Sequence, residues 1–255
     1  MTAEPFIDFE GKTVLVSGAS SGIGRAVAIE LSRRNARLIL MGRNEEKLRR
    51  TKELLETDRC QCVTLDVREQ AGICTRIMDL CERSGRIYGL CHSAGVVETR
   101  PLGSSTVEGL QEMLDVNLTA GLELAKAVCR RDVIEKEGGS VLFIASVYGI
   151  VGMPGQIGYS ASKGAVIAAA RAMAAELARR RIRVNCISPG MVRTDMTARS
   201  MAMLSKERVK SLEGNHPLGI GRPEDVARAA AFLLAPQNTW ITGINLIIDG
   251  GYTAV

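Results

Sequence analysis

The chain has 255 residues, 46% of them apolar, seven cysteines and a formal charge of +5 at pH 7. That length suffices to bury a full core, and the basic residues lie scattered among acids rather than gathered in a patch, which favours a solvated surface over a nucleic-acid footprint. An odd number of cysteines at irregular positions fits reduced thiols better than a disulfide framework, and with no second Cys or His pair at ligand spacing beside Cys60 and Cys62 no metal site is expected.

The opening stretch MTAEPFIDFEGKT carries acids and no apolar signal core, and no later run approaches membrane-spanning length. A cytoplasmic protein without a membrane partner is expected. Apolar runs at 13–17, 37–41, 60–65, 87–92, 140–145, 182–188 and 244–249 read as strands. Stretches 23–34, 44–57 and 159–180 mix charge and apolar residues at helical spacing. This alternation predicts an α/β protein, a single domain over 1–255 built on a doubly wound parallel sheet of about seven strands with helices on both faces. From Met191 to Pro217 the alternation breaks. The segment holds Met191, Met196, Met201 and Met203 among charges, and it reads as a lid over a cleft. Whether those methionines pack against an apolar substrate or only fill space stays open.

The first predicted strand runs into SGASSGIGRAVAIEL, which sets Gly18, Gly22 and Gly24 at a strand-to-helix turn. Glycines there let the backbone bend sharply and approach a pyrophosphate at a helix N-terminus. The spacing, G-x-x-x-G-x-G, differs from the commoner G-x-G-x-x-G. Further on, GYSASKGAV sets Tyr159 and Lys163 four positions apart in a predicted helix, on one face. The pair is either surface packing or a proton donor held beside a cation.

Taken in order, these features resemble the short-chain dehydrogenase/reductase family over nearly the whole chain. The family's glycine motif opens with Thr, here Ser17, and its NNAG after the fourth strand stands here as HSAG, residues 92–95. Its Asn between strands four and five matches Asn117, its catalytic Ser matches Ser146, and its Tyr-x-x-x-Lys matches Tyr159 and Lys163. Its Pro-Gly turn matches Pro189 and Gly190, and the terminal DGG at 249–251 is also typical. The resemblance implies a Rossmann-type fold, a homotetramer, and catalysis by Asn117, Ser146, Tyr159 and Lys163. It implies cofactor contacts from Gly18, Ser20, Ser21, Gly22, Ile23 and Gly24, from Asp66 and Val67, from Ser93, Ala94 and Gly95, from Tyr159 and Lys163, and from Pro189, Gly190, Val192 and Thr194. His92 is read as a hydrogen-bonded residue at a strand end rather than a catalyst.

In chemical terms, Tyr159 would protonate a carbonyl oxygen as hydride arrives, with Lys163 stabilising its phenolate, since a free tyrosine titrates near pH 10. Ser146 would hold the substrate oxygen, and Asn117 would keep a water that links Lys163 to solvent. The second predicted strand ends in MGRN, with no carboxylate for ribose hydroxyls: Gly42 leaves room, and Arg43 offers a fork of donors for a 2′-phosphate. The expected cofactor is NADP(H). The pattern most resembles 3-oxoacyl-acyl-carrier-protein reductases, whose carbonyl substrate is small or carrier-bound, although Ser21 stands where those reductases commonly carry a basic residue. A reductase of a sugar or other small ketone, and an NADP-binding regulator without catalysis, are the alternatives.

Overall fold

The computed structural model describes residues 7–202 and 205–254. The strands are β1 (Thr13–Ser17), β2 (Arg37–Gly42), β3 (Cys60–Thr64), β4 (Gly89–His92), β5 (Gly139–Ile144), β6 (Ile182–Pro189) and β7 (Asn245–Ile248), all parallel, in the order β3-β2-β1-β4-β5-β6-β7. A parallel sheet needs cover on both faces, which is why β1, β4, β5 and β6 are buried along their whole length. Along each strand the side chains alternate between two cores. Leu15 and Ile39 join one face with α3 (Ile73–Ser84), α5 (Ala120–Val128) and α6 (Ile157–Leu177). Val14, Val16, Leu38 and Leu40 join the other with α1 (Gly22–Ser32), α2 (Glu45–Lys52) and α9 (Pro223–Leu234).

Strand order reverses between β1 and β4, so the connections leave to opposite sides and open a crevice at the C-terminal strand ends. Ser17 and His92 are register partners at that point. The glycine turn, the HSAG segment and the end of β5 therefore meet at one edge.

The expected strands all form, with ends shifted by a residue or two, β4 starting at Gly89 rather than residue 87. The helix expected over 44–57 stops at Lys52, because past Leu48 and Thr51 its apolar face runs out and Leu54 is left 54% exposed. The helix expected over 159–180 begins earlier, at Ile157, and closes in a tight turn over 178–180. α4 (Val107–Leu114) leads through one wide turn, Asp115–Thr119, directly into α5; such π-type turns recur at functional sites.

The segment 191–217 carries α7 (Asp195–Met201) and α8 (Lys206–Gly214). Its two ends are fastened together: Arg193 N–H donates to the Gly221 carbonyl at 2.9 Å and Gly221 N–H to the Met191 carbonyl at 3.0 Å. His216 closes the same base, its Nε2 accepting from Met191 N–H at 3.1 Å. Met203 lies outside the described residues. Among the described residues no helix is long and apolar enough to cross a membrane, and no His, Cys, Asp and Glu side chains gather as a metal site would require.

Candidate active site

A single cleft runs along the C-terminal edge of the sheet, from the glycine turn past the end of β4 to Tyr159. At its near end the turn after β1 is shaped by steric necessity. Gly18 has φ of +69°, and a Cβ there would stand 2.7 Å from the Ala94 backbone nitrogen. A Cβ at Gly24 would collide with the Gly18 carbonyl, so that glycine lets α1 start tight against the turn. Arg25 and Thr51 brace the turn from behind: Arg25 Nη2 donates to the Ser20 carbonyl at 2.5 Å, and Thr51 Oγ1 lies 3.0 Å from the Ala19 carbonyl. Ser21 takes the N-cap position in extended conformation without turning its side chain onto the helix. The first-turn amides of α1 thus face the cleft, the arrangement that suits a phosphate. Gly18→Ala should lower stability by about 1–3 kcal/mol and weaken nucleotide binding, because alanine is strained at this positive φ and its Cβ would overlap the Ala94 backbone. A thermal melt and an NADPH fluorescence titration check the two effects.

Gly18, Ser20, Ser21, Gly22 and Ile23 line this end of the cleft, whereas Gly24 lies behind it and acts through Gly18. Arg43 lines the outer rim and makes no salt bridge among the described residues. Beside it stand Asp66 and Val67. Asp66 is gripped by Arg68, whose Nε reaches both carboxylate oxygens at 3.1 and 3.0 Å, and that guanidinium holds the carboxyl below its ordinary range. Arg68 also lines the cleft, and nothing in the sequence pattern singled it out. Arg68 is thus ion-paired with Asp66, two residues away, whereas Arg43, whose charge also acts on Asp66, makes no salt bridge among the described residues.

Ser93, Ala94 and Gly95 follow β4 along the cleft floor. Gly95 sits where Asn117 and Lys163 converge: a Cβ there would lie 3.1 Å from Asn117 Oδ1 and 3.5 Å from Lys163 Nζ. Asn117, on the wide turn, does not line the cleft. It clasps Val96, accepting from Val96 N–H at 2.8 Å and donating to the Val96 carbonyl at 3.0 Å, and also donates to Ser162 Oγ at 2.9 Å. With its amide so engaged, Asn117 positions the strand exit.

Ser146, Tyr159 and Lys163 meet at the inner end of the cleft. Ser146 caps the short turn after β5, its Oγ accepting from Tyr148 N–H at 3.2 Å, and lines the cleft beside Tyr159. Lys163, buried on α6, donates to the Ile144 carbonyl at 2.8 Å, and its Nζ lies 5.8 Å from the centre of the Tyr159 ring. Desolvation pushes the Tyr159 phenol up to about 12, against a smaller pull downward from the Ser146 hydrogen bond. Burial lowers Lys163 to about 8. The expected lowering of the phenol by the Lys163 ammonium, to which an oxidised nicotinamide would add, is opposed here by desolvation, which disfavours both charged forms.

Pro189, Gly190, Val192 and Thr194 line the far wall together with Asp195, Met196 and Thr197 of segment 191–217. Thr197 Oγ1 ties the start of α7 to the Val192 carbonyl at 2.6 Å. An aromatic pile, Tyr159–Tyr148–Tyr252–His216, joins the site to the base of segment 191–217, the first two contacts edge-to-face at 6.5 and 6.4 Å and the last stacked at 4.9 Å. Spacing along the sequence carried no signal for Tyr252 or His216, since only folding brings these two rings together.

A dinucleotide cradle at the switch point of a doubly wound sheet, leading to a Ser-Tyr-Lys cluster, defines a nucleotide-dependent oxidoreductase. The chain belongs to the short-chain dehydrogenase/reductase family. Residues 18–253 match the family model described as enoyl-(acyl carrier protein) reductase. The chain is 34% identical over 250 residues to the 3-oxoacyl-acyl-carrier-protein reductase of Rickettsia prowazekii, covering 98% of this chain and 100% of that one. Its backbone is similar to a short-chain type dehydrogenase/reductase from Mycobacterium ulcerans, with TM-score 0.90 and 29% identity over 97% of this chain and 92% of that chain. It is also similar to the structure titled ElxO with NADP bound, with TM-score 0.86 and 27% identity over 96% and 100% of the two chains.

Proposed function

We propose that the protein is an NADPH-dependent reductase of 3-oxoacyl thioesters carried on acyl carrier protein, working in the cytoplasm at a step of fatty acid biosynthesis. The observation that carries this reading is the convergence of Ser146 and Tyr159 beside Lys163, at the end of a cleft whose opposite rim presents Arg43. Two hydroxyls side by side suit a carbonyl oxygen, which accepts two hydrogen bonds, better than they suit a carbon–carbon double bond. The relatives' names point the same way.

The cradle fits a dinucleotide because it offers positive-φ backbone at Gly18, open first-turn amides on α1 and a cation at the rim. Gly18 to Ile23 would hold the pyrophosphate, Arg43 the 2′-phosphate, and Lys163 the nicotinamide ribose. When bound, the cofactor supplies the hydride and, once oxidised, a positive charge that favours the phenolate. Ser146 Oγ–H donates to the substrate oxygen and orients it, and Tyr159 Oη–H transfers its proton to that oxygen as the carbon receives hydride, leaving an alcohol. Lys163 stabilises the phenolate so formed, and the proton is replenished from solvent along the Lys163–Asn117 side of the site. Segment 191–217, with Met196 facing the cleft at 40% exposure, acts as a lid over the acyl chain.

NADPH oxidation followed against oxoacyl thioesters, keto sugars and simple ketones tests this directly: the thioesters should give the highest kcat/KM. Preference for a keto sugar would reassign the substrate, and no oxidation with any carbonyl would make the protein a nucleotide-binding regulator.

The protein is further proposed to be a homotetramer. On α6, Ala161, Ala168, Ala172 and Ala175 face outward, small enough for close helix-to-helix approach, and Trp240 and Leu218 are 95% and 89% exposed elsewhere. Apolar surface of this kind calls for a partner. Light scattering at micromolar concentration should give four times the mass of one chain, and a monomer would refute the assembly.

A further inference from the structure

At the base of segment 191–217 three stretches of chain meet at one buried ring, that of His216. The exit from β6 supplies Met191, whose N–H donates to His216 Nε2 at 3.1 Å, and α8 supplies the Leu212 carbonyl, 2.9 Å from Nδ1. A backbone N–H can only donate and a carbonyl can only accept, so Nε2 presents its lone pair and Nδ1 carries the hydrogen. The two contacts together fix the Nδ1–H tautomer. The chain end is the third stretch. Asp249 binds its turn, accepting from Gly251 N–H at 3.0 Å and from Thr253 N–H at 2.7 Å, and Leu218 N–H fastens that turn through the Gly250 carbonyl at 2.9 Å. Tyr252 is thereby stacked on His216, with 4.9 Å between ring centres and 21° between the planes. From Tyr252 the contact passes edge-to-face to Tyr148, two residues beyond Ser146, and from Tyr148 to Tyr159.

We propose that His216 is a positioning residue of the active site: its two ring nitrogens set the base of segment 191–217, and its face sets the Tyr252–Tyr148 pair against Tyr159, so that it governs how the carbonyl substrate is seated. The His216 side chain does not itself line the cleft. Its effect reaches the substrate by two routes. Met191 leads directly into Val192 and Thr194 of the far wall, and the rings stand behind the proton donor. Ser146 and Lys163 keep anchors of their own, the Tyr148 N–H and the Ile144 carbonyl, so disturbing His216 alters the fit of the substrate more than the chemical step.

The kinetic part of this inference rests on the reductase reading above, whereas the tautomer and the fastening of the base do not, so the two fail separately. Long-range nitrogen–proton NMR spectra of the wild-type protein read the tautomer, with His216 identified by its contact with the Tyr252 ring. Nδ1–H is expected, and an Nε2–H ring would overturn the proposal. Two substitutions then separate the contacts. His216→Gln can place an amide oxygen where Nε2 stands and keep the Met191 bond, whereas His216→Phe keeps a ring on Tyr252 and leaves Met191 N–H without its acceptor. Amide hydrogen exchange at Met191, Arg193 and Gly221 should quicken by about tenfold or more in His216→Phe and by less than about threefold in His216→Gln, whether or not a substrate is known. With the best carbonyl substrate, His216→Phe should raise KM by about tenfold while kcat falls by less than about threefold, and His216→Gln should keep that KM within about threefold of wild type. Tyr252→Leu, which leaves both ring nitrogens bonded, should raise the same KM without quickening exchange at the base. Equal losses in the Phe and Gln variants, or a loss of kcat with KM unchanged, would overturn the positioning role and leave His216 as packing alone.

Discussion

Tyr159→Phe should retain NADPH binding and lose kcat by about 10²- to 10⁴-fold, the range that a positioned proton donor contributes. The ring, its contacts with Tyr148 and its place on α6 all remain, and only the transferable proton is removed. Lys163→Ala should impair both kcat and cofactor binding, because its ammonium supports the phenolate and would also hold the nicotinamide ribose. The pH dependence follows with a definite sign. Tyr159, at about 12, remains a competent donor throughout the working range, whereas Lys163, at about 8, is charged below that value and neutral above it. The reductive kcat should therefore be level at lower pH and decline as pH rises through about 8. Near-normal kcat in Tyr159→Phe on the true substrate would remove the mechanism altogether.

Cofactor choice should turn on residues 42 and 43. An Arg43 contact with the 2′-phosphate, a hydrogen bond between charged groups, contributes about 1.5–3 kcal/mol, or one to two decades in relative kcat/KM. Arg43→Leu should therefore raise KM for NADPH strongly and leave NADH use almost unchanged. Arg68 lines the same cleft but is engaged by Asp66, and it should substitute poorly. Adding Gly42→Asp should reverse the preference, because the new carboxylate repels the phosphate and accepts from the ribose hydroxyls. The position tolerates the change: the atoms nearest to a Cβ at Gly42 would be side-chain atoms of Leu48 and Ser20, both at 3.4 Å. Steady-state kinetics with both nucleotides decide the matter. Equal losses with NADPH and NADH, or a wild type that already favours NADH, would place the specificity elsewhere.

Much of the architecture was legible in the residues alone, for physical reasons. A strand buried on both faces must be apolar throughout, so runs such as TVLVS and SVLFIA announced themselves, and helices paired to them had to show a periodic apolar face. Tyr159 and Lys163 were legible because an i, i+4 spacing puts both on one face whatever the helix packs against. Glycine at position 18 was legible because few other residues tolerate that conformation.

What tertiary structure decided is the work of groups whose partners are distant in sequence. Asn117 is expected from the sequence to hold a water beside Lys163, and only the fold shows that its side-chain amide clasps Val96, twenty-one positions away. Tyr252 and His216 reach the site through a pile of rings assembled from four separate segments. The ionisation of Tyr159 and Lys163 also lay beyond local spacing. Spacing fixes that the two can meet, but their charge states depend on how completely the surrounding sheet and helices exclude water, and that exclusion exists only once the chain has folded.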